Sequence, residues 1–111
     1  MQFRPILMVA AVFGAPLLAG EAVSAVQTEP AINIDNFSFA PAALVVAPGT
    51  RVTWTNRDDI PHTVTDAAGQ RSFKSSALDT GDAFSYTFSS PGTYHYFCSL
   101  HPRMEGTVVV K

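Results

Sequence analysis

Apolar and polar residues alternate along much of this chain, and the alternation predicts short β-strands. Side chains two positions apart lie on the same face of a strand, so a period of two indicates a strand with one buried face. The alternating segments are residues 31–34, 37–39, 51–56, 83–88 and 94–96, and short apolar runs lie at 43–46 and 107–110. Turn pairs such as Pro48-Gly49 and Pro91-Gly92 separate these segments. Many short strands divided by proline and glycine predict an all-β fold, a sandwich or barrel of antiparallel strands.

Residues 66–81 are the least regular part of the chain. They contain neither a sustained period of two nor a long helical period, and within them the segment 75–79 is the one place where we expect a short helical turn. No internal repeat or low-complexity linker divides the chain, so one domain is expected after the N-terminal region.

Strand parity makes a specific prediction for the segment that ends at the single cysteine. Tyr94, Tyr96 and Cys98 are two positions apart and therefore point to the same side. The tyrosines should pack in the core beneath Cys98, while His95 and Phe97 face the opposite side.

The first residues have the pattern of a secretory signal peptide. Arg4 gives a positive start, residues 6–19 are almost purely apolar, and Val23-Ser24-Ala25 supplies small residues for cleavage. We therefore predict a signal peptide at 1–25 and a single exported domain at 26–111.

Export from a bacterial cytoplasm would deliver this domain to the periplasm. Cleavage after Gly20 and an uncleaved anchor are the alternatives, although the apolar run is shorter than the ~20 residues that a membrane-spanning helix needs. No cysteine lies near the cleavage site for lipid attachment, so we expect the mature form to be free of the membrane.

The charge distribution argues against a nucleic-acid partner. The formal net charge is −2 at pH 7, and the lysines and arginines are scattered. Nucleic-acid binding depends on clustered basic side chains that contact phosphates. The charged residues are better interpreted as a solvated surface.

The single cysteine is the centre of the candidate chemistry. An unpaired cysteine in an exported protein indicates a reactive thiol, an intermolecular bridge or a bound metal. Cys98 is followed three residues later by His101 and three residues after that by Met104. Thiolate, imidazole and thioether are donors that soft metals prefer, and copper is the best match. His62, in Pro61-His62-Thr63-Val64, supplies a second imidazole that neighbouring antiparallel strands would bring to the same rim.

These motifs together resemble those of the cupredoxins, the small blue-copper electron carriers. The similar features are Pro-His-Thr-Val and the later pattern Tyr-x-Tyr-x-Cys-x-x-His-Pro-x-Met-x-Gly-x-Val-Val-Val, whose short ligand spacing is most similar to the amicyanin type. The resemblance implies a Greek-key β-sandwich of about seven or eight strands. It also implies one type 1 copper ion with His62, Cys98 and His101 as strong equatorial ligands and Met104 as the weak axial ligand.

The resemblance also implies a role and a class of partner. A domain of this family carries single electrons as copper cycles between Cu(II) and Cu(I), and the imidazole matching His101 serves as the exit. Leu100, Pro102 and Pro61 would form an apolar rim around it for transient docking. Amicyanin-type relatives suggest an amine dehydrogenase and a cytochrome c as partners, and a monomer is expected.

Two other functions are compatible with the same residues. A copper delivery or storage module would use the same ligands, and a metal-free sandwich for adhesion would leave Cys98 a free thiol. An enzyme is disfavoured because the sequence offers no nucleophile-base pairing beyond the candidate ligands.

Two residues depart from the family pattern. Relatives with the short loop tend to have Pro two residues after the cysteine, where this chain has Leu100, whose backbone N–H could donate to the Cys98 sulfur and favour the reduced state. Relatives commonly have Asn after the first histidine ligand, where its side chain joins the two ligand loops, and this chain has Thr63. A hydroxyl reaches less far than an amide, so we expect a less rigid connection at this position.

Overall fold

The computed structural model describes residues 29–111, which form a sandwich of two four-stranded β-sheets. The predicted signal peptide lies outside the described residues. The strands are β1 (Ala31–Asp35), β2 (Ser38–Ala40), β3 (Ala43–Val46), β4 (Thr50–Asn56), β5 (Thr65–Asp66), β6 (Ala83–Phe88), β7 (Gly92–Cys98) and β8 (His101–Val110). The prediction of an all-β sandwich with about seven or eight strands is confirmed. No helix within 29–111 has the length and apolar character needed to cross a membrane.

The strand order shows how the chain moves between the two layers. One sheet has the order β2-β1-β4-β6 and the other β3-β8-β7-β5. The chain therefore changes sheet after β2, β3, β4, β5 and β6. Pairing is antiparallel except for β1 with β4 and β3 with β8, which are parallel. Only β7 and β8 are joined by a tight hairpin within the second sheet, and this hairpin carries the cysteine.

The core lies between the sheets and follows from strand parity. Val52 and Trp54 on β4 are fully buried, and Tyr96 on β7 contacts Trp54 edge-on, with ring centroids 5.3 Å apart. Tyr96 is 1% exposed and Cys98 is inaccessible to solvent, whereas His95 lies on the exposed side, as parity predicts. Burial raises the pKa of Tyr96 to about 12, so its phenol remains neutral beneath the cysteine.

The short helical turn predicted at 75–79 is wrong. The segment is extended along residues 62–64 instead: His62 N donates to Leu78 O at 3.1 Å, and Leu78 N donates to His62 O at 2.7 Å. Ser75 N also donates to Val64 O at 2.8 Å. These backbone groups have partners in a neighbouring segment, so a local helical turn is not needed to satisfy them.

The strand after the cysteine begins earlier than the sequence suggested. The apolar run predicted a strand from residue 107, but β8 begins at His101 and pairs with β7 from Cys98 onward. A register shift between Phe97 and Cys98 interrupts the pairing, as a β-bulge does. The connecting turn therefore contains only Ser99 and Leu100, which fixes the distance between the cysteine and the histidine.

Candidate metal centre

The β7–β8 hairpin positions three of the four candidate ligands. Cys98 is the last residue of β7, and His101 is the first residue of β8 and its pairing partner. Met104 lies three residues further along β8 and is 5% exposed. The hairpin thus holds a thiol, an imidazole and a thioether at one end of the sandwich.

His62 reaches the same end from the segment between β4 and β5. Its backbone is held by the paired hydrogen bonds with Leu78, and its side chain is inaccessible to solvent. The following strand, β5, pairs antiparallel with β7, with Thr65 opposite Phe97. This pairing brings the segment that begins at His62 to the end of β7, as we expected from the sequence.

The donor atoms have separations that suit a bound metal. The Cys98 sulfur lies 3.7 Å from Nδ1 of His62 and 3.7 Å from Nδ1 of His101. One donor atom from each of the three residues can be chosen so that all lie within 4.8 Å of one another. Zinc, for comparison, bonds nitrogen at about 2.0–2.1 Å and sulfur at about 2.3 Å, and at a trigonal angle these lengths separate the two donor atoms by about 3.8 Å. The two sulfur-to-nitrogen distances therefore match those expected around a bound ion.

Asp58 orients the buried imidazole, a role that the sequence did not indicate. Its Oδ2 lies 2.8 Å from Nε2 of His62. An ionised carboxylate only accepts hydrogen bonds, so Nε2 is the donor, and in the neutral ring Nδ1 keeps its lone pair facing Cys98. The four-residue separation between Asp58 and His62 was the available signal, but carboxylates near histidines are too common for that signal to identify it.

The same carboxylate has backbone partners that keep it ionised. Phe37 N donates to Oδ2 at 2.9 Å, and Asn36 N donates to Oδ1 at 2.6 Å. The Phe37 N–H is the largest influence that lowers the pKa of Asp58 to about 2; burial opposes it, while the Asn36 N–H and His62 lower the pKa further. Asp58 thereby connects the β1–β2 turn to the buried imidazole.

Thr63 joins the two segments that carry the candidate ligands, through both its hydroxyl and its backbone N–H. Its Oγ1 accepts a hydrogen bond from Ser99 N at 2.7 Å and lies 2.9 Å from Ser99 Oγ. Its backbone N–H donates to the Cys98 sulfur at 3.3 Å. The hydroxyl is sufficient because the hairpin turn approaches Thr63 closely, and Thr65 Oγ1 adds a further contact at 3.1 Å.

The opposite side of the site opens to solvent. His101 is half-buried, Leu100 is 50% exposed and Pro102 is exposed, and these three residues line one groove, so this part of the predicted apolar rim is present. Pro61 is exposed but does not line that groove. Phe37, which the sequence analysis did not assign to the site, is 53% exposed and completes this surface. A shallow groove of about 420 Å³ runs along it; its lining residues are Phe37, Leu100, His101, Pro102, Arg103 and Met104.

The chain also matches known proteins over most of its length. Residues 26–111 match the family model described as copper binding proteins of the plastocyanin/azurin family. Amicyanin-alpha from Methylorubrum extorquens is 36% identical over 101 residues, which cover 85% of each chain. A structure of a reduced amicyanin mutant superposes with a TM-score of 0.72 at 34% identity, covering 81% of this chain and 89% of that one. A purple cupredoxin from Nitrosopumilus maritimus gives a TM-score of 0.70 at 35% identity, covering 75% of this chain and all of that one.

Proposed function

We propose that this chain, which belongs to the plastocyanin/azurin family of copper binding proteins, carries single electrons between redox partners through one type 1 copper ion. The observation that carries the proposal is that one thiol and two imidazoles come together from two separate segments of the chain. Their donor atoms lie within 4.8 Å of one another. This donor set suits copper, and a nearby thioether completes the type 1 pattern.

In this proposal His62, Cys98 and His101 are the strong ligands and Met104 is the weak axial ligand. Bound copper would supply a centre that accepts and returns one electron. The protein would hold the donors in place so that the change of charge requires little rearrangement. The Asp58 contact to His62 and the Thr63 contact to Ser99 support that role because each fixes a segment that carries a candidate ligand.

The exposed side of the site supports a docking role. His101 is the candidate ligand that combines a position beside the sulfur with access to solvent, so it would provide the exit for the electron. The apolar rim around it suits brief contacts with a redox partner, because electron-transfer encounters use small interfaces. An amine dehydrogenase and a cytochrome c are the proposed partners, and the carrier would act as a monomer without enzymatic activity of its own.

The proposal includes the cellular location. A signal peptide at 1–25 would direct the domain at 26–111 to the periplasm, where the mature form would be free of the membrane. The apolar run followed by small residues supports this assignment. N-terminal sequencing of the protein secreted by a bacterial host would give Val26 as the first residue; a retained N-terminus would contradict it.

The experiment that tests the function separates a carrier from a delivery module. The copper-loaded protein would be cycled with ascorbate and ferricyanide in the presence of the Cu(I) chelator bicinchoninate. A carrier completes many cycles while the chelator remains colourless. Transfer of copper to the chelator within the first reduction would indicate delivery and would contradict the electron-carrier role.

A further inference from the structure

The turn between β1 and β2 has a conformation that its sequence does not favour. Asp35 pairs with Ser38, and the two residues between them, Asn36 and Phe37, have φ angles of 52° and 56°. Two consecutive left-handed residues are the pattern of a type I′ hairpin turn, for which Asn-Gly is the preferred pair. Asn tolerates this region, but a phenylalanine in it is strained. A glycine at position 37 would form the same turn with less strain.

The contacts of the turn show what holds the strained residue in place. Both turn N–H groups donate to the Asp58 carboxylate, which also accepts from Nε2 of His62. The backbone of Phe37 is therefore fixed to the same group that orients the buried imidazole. The side chain of Asp58 is only 11% exposed, whereas the two turn residues that donate to it lie at the surface.

The Phe37 ring contacts both candidate imidazoles. Its centroid lies 5.5 Å from that of His62 at an interplanar angle of 88°, and 5.1 Å from that of His101 at 87°. The two imidazoles are themselves 5.0 Å apart. Edge-to-face contacts at these distances are favourable beyond simple area burial. One ring thus supports two ligands that come from different segments of the chain.

We propose that Phe37 is a positioning residue of the metal centre, whose ring holds the imidazoles of His62 and His101 together and slows the release of copper. This inference rests on the proposed function, because it takes the two imidazoles to be copper ligands. The strained backbone of Phe37 supports this inference. A residue whose backbone conformation costs stability is expected to have a compensating role, and here the contacts of the ring supply one.

Phe37→Gly separates the backbone strain of Phe37 from the contacts of its ring. The substitution creates the favoured Asn-Gly turn and removes the ring. The metal-free variant should unfold at the same temperature as the wild type or higher, measured by circular dichroism. Copper loss from the reduced protein to bicinchoninate should become about tenfold faster, as expected for the loss of two aromatic contacts. Phe37→Asn, whose side chain also tolerates the left-handed region, should give the same pair of results.

Leu100→Ala provides the matched control. Leu100 has nearly the same exposure and lines the same groove, but it lies in the β7–β8 turn and not in the β1–β2 turn, whose N–H groups bond Asp58. Its removal should change the rate of copper loss by less than about twofold. Equal acceleration by Leu100→Ala and Phe37→Gly would overturn the proposal, because it would indicate a general effect of the apolar surface.

A measurement on the metal-free protein keeps this test distinct from that of the proposed function. Relaxation-dispersion NMR of the imidazole carbons should show exchange for His101 in Phe37→Gly that the wild type lacks. Unchanged imidazole dynamics with an unchanged rate of copper loss would overturn the role of Phe37 and leave the copper site intact. If Phe37→Gly lowered the unfolding temperature in proportion to the faster loss of copper, Phe37 would contribute only to general stability, and this result would also overturn the proposal. Failure of wild-type protein to form a blue copper complex would instead contradict the proposed function.

Discussion

The two sides of the metal centre differ in construction. The His62 side is inaccessible to solvent and is held by backbone hydrogen bonds to Leu78 and by a carboxylate on Nε2. The His101 side is the start of a strand after a two-residue turn, and it lies beside Leu100, which is half exposed. One candidate ligand is therefore buried, where its position is fixed, and the other lies at the surface, where a partner could reach it.

The Cys98 sulfur connects the two sides. It lies at equal distances from both Nδ1 atoms and accepts a hydrogen bond from Thr63, the residue that follows the buried histidine. A movement of the hairpin relative to the His62 segment would therefore change the sulfur position for both imidazoles. The Thr63 and Ser99 contacts oppose that movement.

The largest expected effect is the loss of the copper absorption band when either histidine is removed, and the two variants should differ in whether added imidazole restores the band. His62→Gly and His101→Gly should each abolish the intense blue absorption of the copper protein. Added imidazole should restore it in His101→Gly, because that position opens to the groove, and should fail in His62→Gly, because that position is fully buried. Titration with imidazole, followed by visible absorption, measures the difference. Equal restoration in both variants would show that the two sides are equally accessible.

The next effect tests the carboxylate behind the buried histidine. Asp58→Asn should lower the free energy of unfolding of the metal-free protein by about 2 kcal/mol at pH 7, because charged hydrogen bonds to two N–H groups and an imidazole are weakened. Asp59→Asn, a neighbouring exposed position, is the control and should change it little.

The pH dependence of that difference has a defined direction. The folded pKa of Asp58, about 2, lies below its ordinary value of 3.8, so the stabilisation is present above pH 4 and is lost as the pH falls towards 2. Wild type and Asp58→Asn should therefore converge in stability over this range, measured by urea unfolding. A difference that stays constant from pH 7 to pH 2 would contradict the role of the ionised carboxylate.

A smaller effect is expected where the two sides are joined. Thr63→Val removes the hydroxyl that accepts from Ser99 N and should cost about 1 kcal/mol of stability, a typical value for one hydrogen bond. The variant should also broaden the copper hyperfine lines in electron paramagnetic resonance, because the hairpin is less well fixed. Thr65→Val, which loses a hydroxyl that does not contact Ser99 N, should preserve the line shape. Broader lines in Thr65→Val but not in Thr63→Val would show that the Thr63 hydroxyl does not fix the hairpin.

The smallest change in stability is expected on the exposed side. Leu100→Ser should alter the free energy of unfolding by less than about 0.5 kcal/mol, as surface substitutions usually do. It should nevertheless slow bimolecular electron exchange between copper proteins several-fold, because the apolar rim mediates contact. Nuclear magnetic resonance line broadening in mixtures of oxidised and reduced protein gives the exchange rate. An unchanged rate would exclude Leu100 from the contact surface.

The sequence was sufficient where local pattern determines structure. Period-two alternation located β1, β4 and β6 with small shifts at their ends, and parity placed Tyr96 and Cys98 in the core. It failed for 75–79, where long-range backbone pairing replaced the local turn. It also placed the start of β8 too late, because His101, Pro102 and Arg103 have no apolar alternation although they follow a hairpin turn.

For the site, residue type and spacing were sufficient to propose the four ligands but not their supports. Asp58 is an ordinary acidic residue until the turn at Asn36 and Phe37 is brought against it from more than 20 positions away. The effect of Thr63 likewise depends on how close the hairpin lies, a distance that the length of its side chain does not determine. Supports of this kind depend on tertiary contacts, and no spacing along the chain encodes them.

The most direct test of the copper centre is a visible absorption and electron paramagnetic resonance spectrum of the mature protein with Cu(II), beside Cys98→Ala. We expect an intense thiolate-to-copper absorption band that makes the wild-type protein blue and a narrow copper hyperfine splitting, both absent in the variant. A colourless wild-type protein, or a weak band that persists in Cys98→Ala, would contradict the copper centre proposed at His62, Cys98, His101 and Met104.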